Sequence, residues 1–120
     1  MTETIFDPST IDFEKPGKTL YEVAFHHDAT WGYAMVPLCV INGTAGPRKK
    51  NVVCFGGTHG NEYEGQVILH DLVRHLDLGH VRGRLIVLPA MNYPAVLAGS
   101  RVSPLDGGNF NRVFPGDPRL

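Results

Sequence analysis

The sequence is poor in cysteine and tryptophan, with two and one respectively, and it has no surplus of either charge: 11 Lys+Arg against 12 Asp+Glu give a formal net charge of -1. Two cysteines cannot build a disulfide scaffold or a four-cysteine zinc ribbon. Cys39 and Cys54 lie in apolar strand-like runs, where a free thiol behaves as a small hydrophobe. The basic residues are scattered except for Arg48-Lys49-Lys50, which excludes a nucleic-acid stripe or a basic membrane-surface helix. No apolar run approaches the ~20 residues of a transmembrane helix, and the first residues lack the basic start and apolar centre of a signal peptide. The expected location is the cytoplasm, with neither membrane nor nucleic acid as a partner. What remains is ordinary: 120 residues, 42% hydrophobic and 19% charged, enough for one domain of modest core.

Residues 1–18 are polar, contain Pro8 and Pro16, and show no sustained period, so they read as an extended arm leading into a unit spanning 19–120. Thr19 to Phe25 alternates as a half-buried strand, and Tyr33 to Ile41 is a second strand that Pro37 assigns to an edge or bulge and Asn42-Gly43 closes. Asn51-Val-Val-Cys-Phe55 is continuously apolar and ends in Gly56-Gly57, as expected of a central strand buried on both faces. Apolar residues at helical spacing (Val67, Ile68, Leu72, Val73, Leu76) predict a helix from Asn61 to Leu78, with Gly79 as its C-cap. Arg84 to Pro89 is a further buried strand. Asn51 to Pro89 is then one strand-helix-strand unit, and the fold class is α/β. Beyond Pro89 the chain is rich in Gly, Pro and Asn, with a short helix near Tyr93 to Ala98 and loops of the kind that carry function.

The chemistry concentrates in Gly56-Gly57-Thr58-His59-Gly60-Asn61-Glu62-Tyr63-Glu64-Gly65, where a buried strand gives way to a helix, the edge at which α/β sheets gather ligands. His59 and Glu62, three residues apart at the helix opening, can turn an imidazole and a carboxylate to one side. Such a pair suits zinc, which takes His nitrogen and carboxylate oxygen at ~2.0–2.2 Å. The glycines allow a sharp turn and close approach of a substrate. The same residues also read as a capping or core histidine, as a phosphate-cradling loop, or as a first-turn acid facing the helix dipole; the phosphate reading lacks Gly-x-Gly-x-x-Gly and a following Gly-Lys-Ser/Thr. A second group lies in the loops: Asn92, Arg101, and Asp106-Gly-Gly-Asn-Phe-Asn111-Arg112-Val-Phe-Pro-Gly116. Two arginines in a Gly/Asn-rich loop suit a carboxylate, whose oxygens match the guanidinium fork; they equally suit pairing with Asp106 or Asp117.

Taken together, Gly57-Thr-His59-Gly-Asn-Glu62-Tyr-Glu-Gly65 and Asp106-Gly-Gly-Asn-Phe-Asn111-Arg112-Val-Phe-Pro-Gly116 resemble the succinylglutamate desuccinylase/aspartoacylase family, relatives of the zinc carboxypeptidases. The resemblance runs from Thr19 to Pro118 and is nearest to the branch that includes N-acetyl-diaminobutyrate deacetylases. It implies the N-terminal portion of a mixed sheet flanked by helices, one Zn2+ ion held by His59 and Glu62, Asn111 and Arg112 binding a substrate carboxylate, and Arg101 polarising the scissile carbonyl. The implied activity is hydrolysis of the amide bond in a small N-acyl amino acid. The family's third zinc ligand, a histidine, and its general base, a glutamate, have no counterpart after Arg112. They are expected beyond residue 120, in a chain of more than twice this length.

His70 and His75 lie too far along the helix to share the ion with Glu62, at ~1.5 Å per residue, and His80 is beyond its far end. His26 and His27 remain open. The competing expectations are a metallocarboxypeptidase, or a non-catalytic piece serving as a structural or partner-binding module. By itself the chain is expected to be inactive, and to form a homo-oligomer or pair with the rest of its enzyme.

Overall fold

The computed structural model describes residues 1–27, 32–47 and 50–117; Arg48, Lys49 and Pro118, named above, lie outside them. Alternating and continuous apolar runs become five strands, β1 (Thr2–Ile5), β2 (Gly17–His26), β3 (Tyr33–Asn42), β4 (Asn51–Phe55) and β5 (Arg84–Leu88). Helix α1 (Tyr63–His75) links β4 to β5, and α2 (Tyr93–Ala98) follows β5. The sheet order is β1-β2-β3-β5-β4. β1 runs parallel to β2 and β4 parallel to β5, while β3 is antiparallel to both of its neighbours. The architecture is thus a mixed α/β sheet with helices, and the ends of β2, β4 and β5 share one sheet edge.

The pleat divides the core into two faces. Leu38 and Val40 of β3 point with Tyr21 and Val23 to one face, where Ile5, Ile11 and Phe13 pack on them. Cys39 and Ile41 point with Val87 to the other, covered by Leu69, Leu72 and Val73 of α1 and by Leu76 just after it. Val40, Ile41 and Val87 are fully buried, each worth ~1.5–3 kcal/mol relative to exposure. Burial pushes the Cys39 thiol up to about 11, as expected of a cysteine that serves as core.

The arm is extended, as its composition suggested, and it is docked. β1 pairs with Leu20–Val23. The buried Arg84 donates from Nε to Asn42 Oδ1 at 3.1 Å, pairs with Glu14, and lies over the Phe13 ring. Asn42 in turn donates to the carbonyls of Phe13 (2.9 Å) and Lys15 (2.8 Å). These contacts bring Phe13 onto the first face of the sheet. No periodicity in the arm announces them.

Two expectations need correction. β4 is an edge strand of the described sheet, and Val52, Val53 and Phe55 are 50%, 47% and 57% exposed. A continuous apolar run shows that a strand can be covered on both faces; it does not supply the cover. The helix is shorter than Asn61 to Leu78, because Leu76 caps it and Asp77 accepts from Gly79 to start a separate 3-10 turn at Leu78–His80. Gly79 is therefore no C-cap. Pro37 lies opposite Glu22 and outside the Cys39–Asn42 stretch that β5 pairs, so among the described residues β3 has a strand neighbour there on one side only, the edge position expected of a proline.

Candidate metal centre

The turn between β4 and α1 is built around two close approaches. Gly57 takes φ +66°, which side-chain-bearing residues rarely adopt. Gly60 lies against α2, where an added Cβ would come 1.9 Å from the Ala95 carbonyl oxygen. Space the sequence reading assigned to a substrate is thus filled at Gly60 by the chain's own backbone. Met91 and Asn92 donate their backbone N–H groups to the carbonyls of Gly56 (2.8 Å) and Gly57 (3.1 Å), locking this turn to the one after β5.

His59 precedes the helix and Glu62 is its N-cap residue, so their proximity comes from a turn closed by Glu62 N–H on the His59 carbonyl (3.3 Å), not from helical spacing. The His59 side chain is buried; its Nδ1 lies 3.0 Å from Glu62 Oε1 and its Nε2 lies 3.0 Å from Asn109 Oδ1. Arg101 donates to the same Glu62 Oε1 at 3.1 Å. The carboxylate of Glu62 is therefore aimed sideways at His59 and Arg101 and makes no cap to its own helix.

Two acceptor oxygens flanking one imidazole impose a chemical condition. A neutral ring carries a single N–H, so with Asn109 receiving it, the Nδ1 lone pair faces a carboxylate oxygen. A metal ion held between Nδ1 and Oε1 satisfies both groups in that tautomer; in the other, Nδ1–H donates to Glu62 and the Asn109 amide presents its NH2 to Nε2. The 3.0 Å separation is close to the ~3.3 Å edge that two ~2.0–2.1 Å bonds subtend at a tetrahedral metal. The donor set therefore fits zinc, as two ligands of an incomplete set, since among the described residues no three His, Cys, Asp or Glu side chains gather. Of the other histidines, His26 stacks edge-on to Tyr33 and His75 pairs with Asp71 on the exposed side of α1.

Asn111 and Arg112 follow Asn109 in a 3-10 turn (Phe110–Arg112) and are exposed. The structure thus joins His59, Glu62 and Arg101 directly, whereas Asn111 and Arg112 are tied to them only by following Asn109, the neighbour of His59, in the chain. Asn109 escaped the sequence reading as a partner of His59, because no spacing rule connects residues 50 apart. An apolar cleft of ≈390 Å³, lined by Phe25, Val36, Leu88, Met91, Phe110 and Val113 among others, includes none of His59, Glu62, Arg101 and Asn109.

Residues 48–120 match the succinylglutamate desuccinylase/aspartoacylase catalytic domain. The chain belongs to this family. Among its relatives is the N-alpha-acetyl-L-2,4-diaminobutyric acid deacetylase of Halomonas elongata, 43% identical over 113 residues, which are 92% of this chain and 32% of that protein. A succinylglutamate desuccinylase/aspartoacylase from Rhodobacter sphaeroides superposes with a TM-score of 0.81 at 41% identity, over 92% of this chain and 34% of that one. The product-bound ectoine utilization protein EutE (DoeB) from Ruegeria pomeroyi gives 0.80 at 46% identity, again over 92% and 34%. The chain spans about a third of the length of these family members. Among the described residues, no helix is long and apolar enough to cross a membrane.

Proposed function

We propose that this chain is the N-terminal part of a zinc-dependent amidohydrolase that removes the acyl group from a small N-acyl amino acid. The observation that carries the proposal is the buried His59 facing the Glu62 carboxylate at 3.0 Å, an imidazole nitrogen and a carboxylate oxygen of the kind zinc takes, held within reach of one ion. His59 Nδ1 and Glu62 Oε1 would hold the ion, and the remaining protein ligand and the general base would come from outside these 120 residues. When bound, zinc polarises a carbonyl and lowers the pKa of a coordinated water toward ~7.

The chain's own residues supply position and charge. Arg101, whose guanidinium reaches Glu62 Oε1, would donate to the scissile carbonyl oxygen as that oxygen gains negative charge. Arg112 and Asn111 are free to grip a substrate carboxylate, the guanidinium fork matching its two oxygens. Fixing the carboxylate fixes the distance from it to the scissile amide, which turns binding energy into orientation. The isolated chain, with two metal donors, is expected to be inactive.

The test is a set of hydrolysis assays on the full-length protein. N-acetylated diaminobutyric acid, the substrate in the Halomonas relative's name, is the first compound to try, beside other N-acyl amino acids and short peptides. Zinc-dependent release of the acyl group supports the proposal. Release of C-terminal residues from peptides, with N-acyl amino acids untouched, overturns it in favour of a carboxypeptidase.

A further inference from the structure

We infer that Asn109 is a positioning residue that joins the metal site to the substrate-carboxylate grip. The inference rests on the zinc reading above and concerns a residue that reading leaves without a role. Asn109 makes two contacts in opposite directions along the chain. Its side-chain Oδ1 lies 3.0 Å from His59 Nε2, placed to accept a proton held there, and its backbone carbonyl receives Arg112 N–H at 2.8 Å, the bond that closes the 3-10 turn carrying Asn111 and Arg112.

The first contact decides the tautomer. With the proton held on Nε2, the lone pair is left on Nδ1, the nitrogen that faces Glu62. An acceptor on the far nitrogen of a metal-binding imidazole also fixes its ring orientation, and loss of such an acceptor typically costs ~10–100-fold in metal affinity or activity. Here the acceptor is a neutral amide, so it orients the ring without adding negative charge to a site that already has Glu62.

The second contact sets where Arg112 begins. Asn109 is itself held by the loop before it: Gly107 N–H reaches the Ser103 carbonyl at 2.8 Å, Gly108 N–H reaches Asp106 Oδ1 at 2.8 Å, and Ser103 N–H reaches the Gly108 carbonyl at 3.2 Å. One residue thus references both subsites to one rigid turn.

The experiment compares Asn109→Ala and Asn109→Asp with the wild-type full-length protein, using zinc affinity by chelator competition, the ring-nitrogen signals of 15N-labelled histidine, and kcat and KM on an N-acyl amino acid. Asn109→Ala is expected to weaken zinc ~10–100-fold and to lose the hydrogen-bonded Nε2–H signal of His59. It should also raise KM in zinc-saturated enzyme. Asn109→Asp keeps an acceptor oxygen in place and should restore zinc affinity to within ~3-fold of wild type. Thermal unfolding confirms that both variants fold. Wild-type zinc affinity in a folded Asn109→Ala, or a His59 Nδ1–H tautomer in the zinc-loaded wild type, overturns the inference while leaving the metal site intact. A wild type that takes up no zinc overturns the metal reading itself, and Asn109's role with it.

Discussion

Replacing Gly60 by alanine should damage the fold and the metal site together, whereas the same change five residues on, at Gly65, should be harmless. A Cβ on Gly60 would lie 1.9 Å from the Ala95 carbonyl oxygen, 2.1 Å from its carbon and 2.5 Å from Val96 N. All three are backbone atoms of α2, so no rotamer change relieves the clash. Regaining even ~3 Å demands a movement of about 1 Å between two turns that are hydrogen-bonded to each other. Overpacking a core ordinarily costs ~1–3 kcal/mol by side-chain adjustment, and a clash that only backbone movement can relieve belongs at or above ~3 kcal/mol. That is a large part of the ~5–15 kcal/mol that holds a typical domain. Gly60 also lies between His59 and Glu62, so the movement pulls the proposed ligands apart. At Gly65 the new Cβ would meet only Gly56 Cα at 3.5 Å, an ordinary contact, and alanine within α1 should gain ~0.5–1 kcal/mol. Urea unfolding of the full-length protein followed by circular dichroism, with zinc content measured alongside, reads both effects. A Gly60→Ala protein within ~0.5 kcal/mol of wild type with full zinc would refute the packing argument, since surface substitutions alone stay in that range.

Arg112→Lys should lower kcat/KM on a carboxylate-bearing N-acyl substrate by roughly tenfold to a hundredfold, the equivalent of the ~1.5–3 kcal/mol of a charge-assisted hydrogen bond, because lysine lacks the two-pronged donor. Unchanged steady-state kinetics would remove Arg112 from the grip. The raised Cys39 thiol predicts a stability loss at high pH: the unfolded thiol ionises from about 9 while the buried one stays neutral to about 11, so the unfolded state loses the proton first and gains. Urea midpoints between pH 8 and pH 11 should fall less steeply in Cys39→Ala, and parallel curves would contradict this. The exposed apolar residues along β4 and α1, including Val53, Phe55, Val67 and Ile68, should make the isolated 120-residue chain self-associate. Sedimentation should show that Val53→Lys with Phe55→Glu reduces this association; a monomeric wild-type chain would contradict it.

What the sequence revealed, and what it hid, divides along the range of the interactions. β2, β3, β5 and α2 were legible because alternation and apolar runs are local properties of the chain. The strand-helix-strand unit was legible for the same reason, with a glycine-rich turn between its apolar segments. The position of β4 was not, since edge or centre depends on what lies beside a strand. Gly79 misled because it follows an apolar helical pattern, whereas α1 has already ended at Leu76 and the Asp77 side chain begins a separate 3-10 turn. The docking of the arm was hidden because it depends on Arg84, 70 residues from its partner Glu14. In the site, His59 and Glu62 were found by their spacing, although a tight turn rather than a helix brings them together. Arg101 was picked out by its Gly/Asn-rich loop and given a role through the family resemblance, and its contact with Glu62 became visible only in three dimensions. Asn109 was printed in the motif but carried no local signal of its partner.

The central claim is that His59 and Glu62 hold a catalytic zinc ion, and zinc content tests it most directly. Equilibrium dialysis should be run on the full-length wild type, His59→Ala and Glu62→Ala, each shown folded by circular dichroism. Tight zinc binding by the wild type at one ion per chain, falling to background in both variants together with hydrolysis of the N-acyl amino acid, is the predicted result. Equal zinc in all three proteins, or full hydrolysis by either variant, would contradict the account.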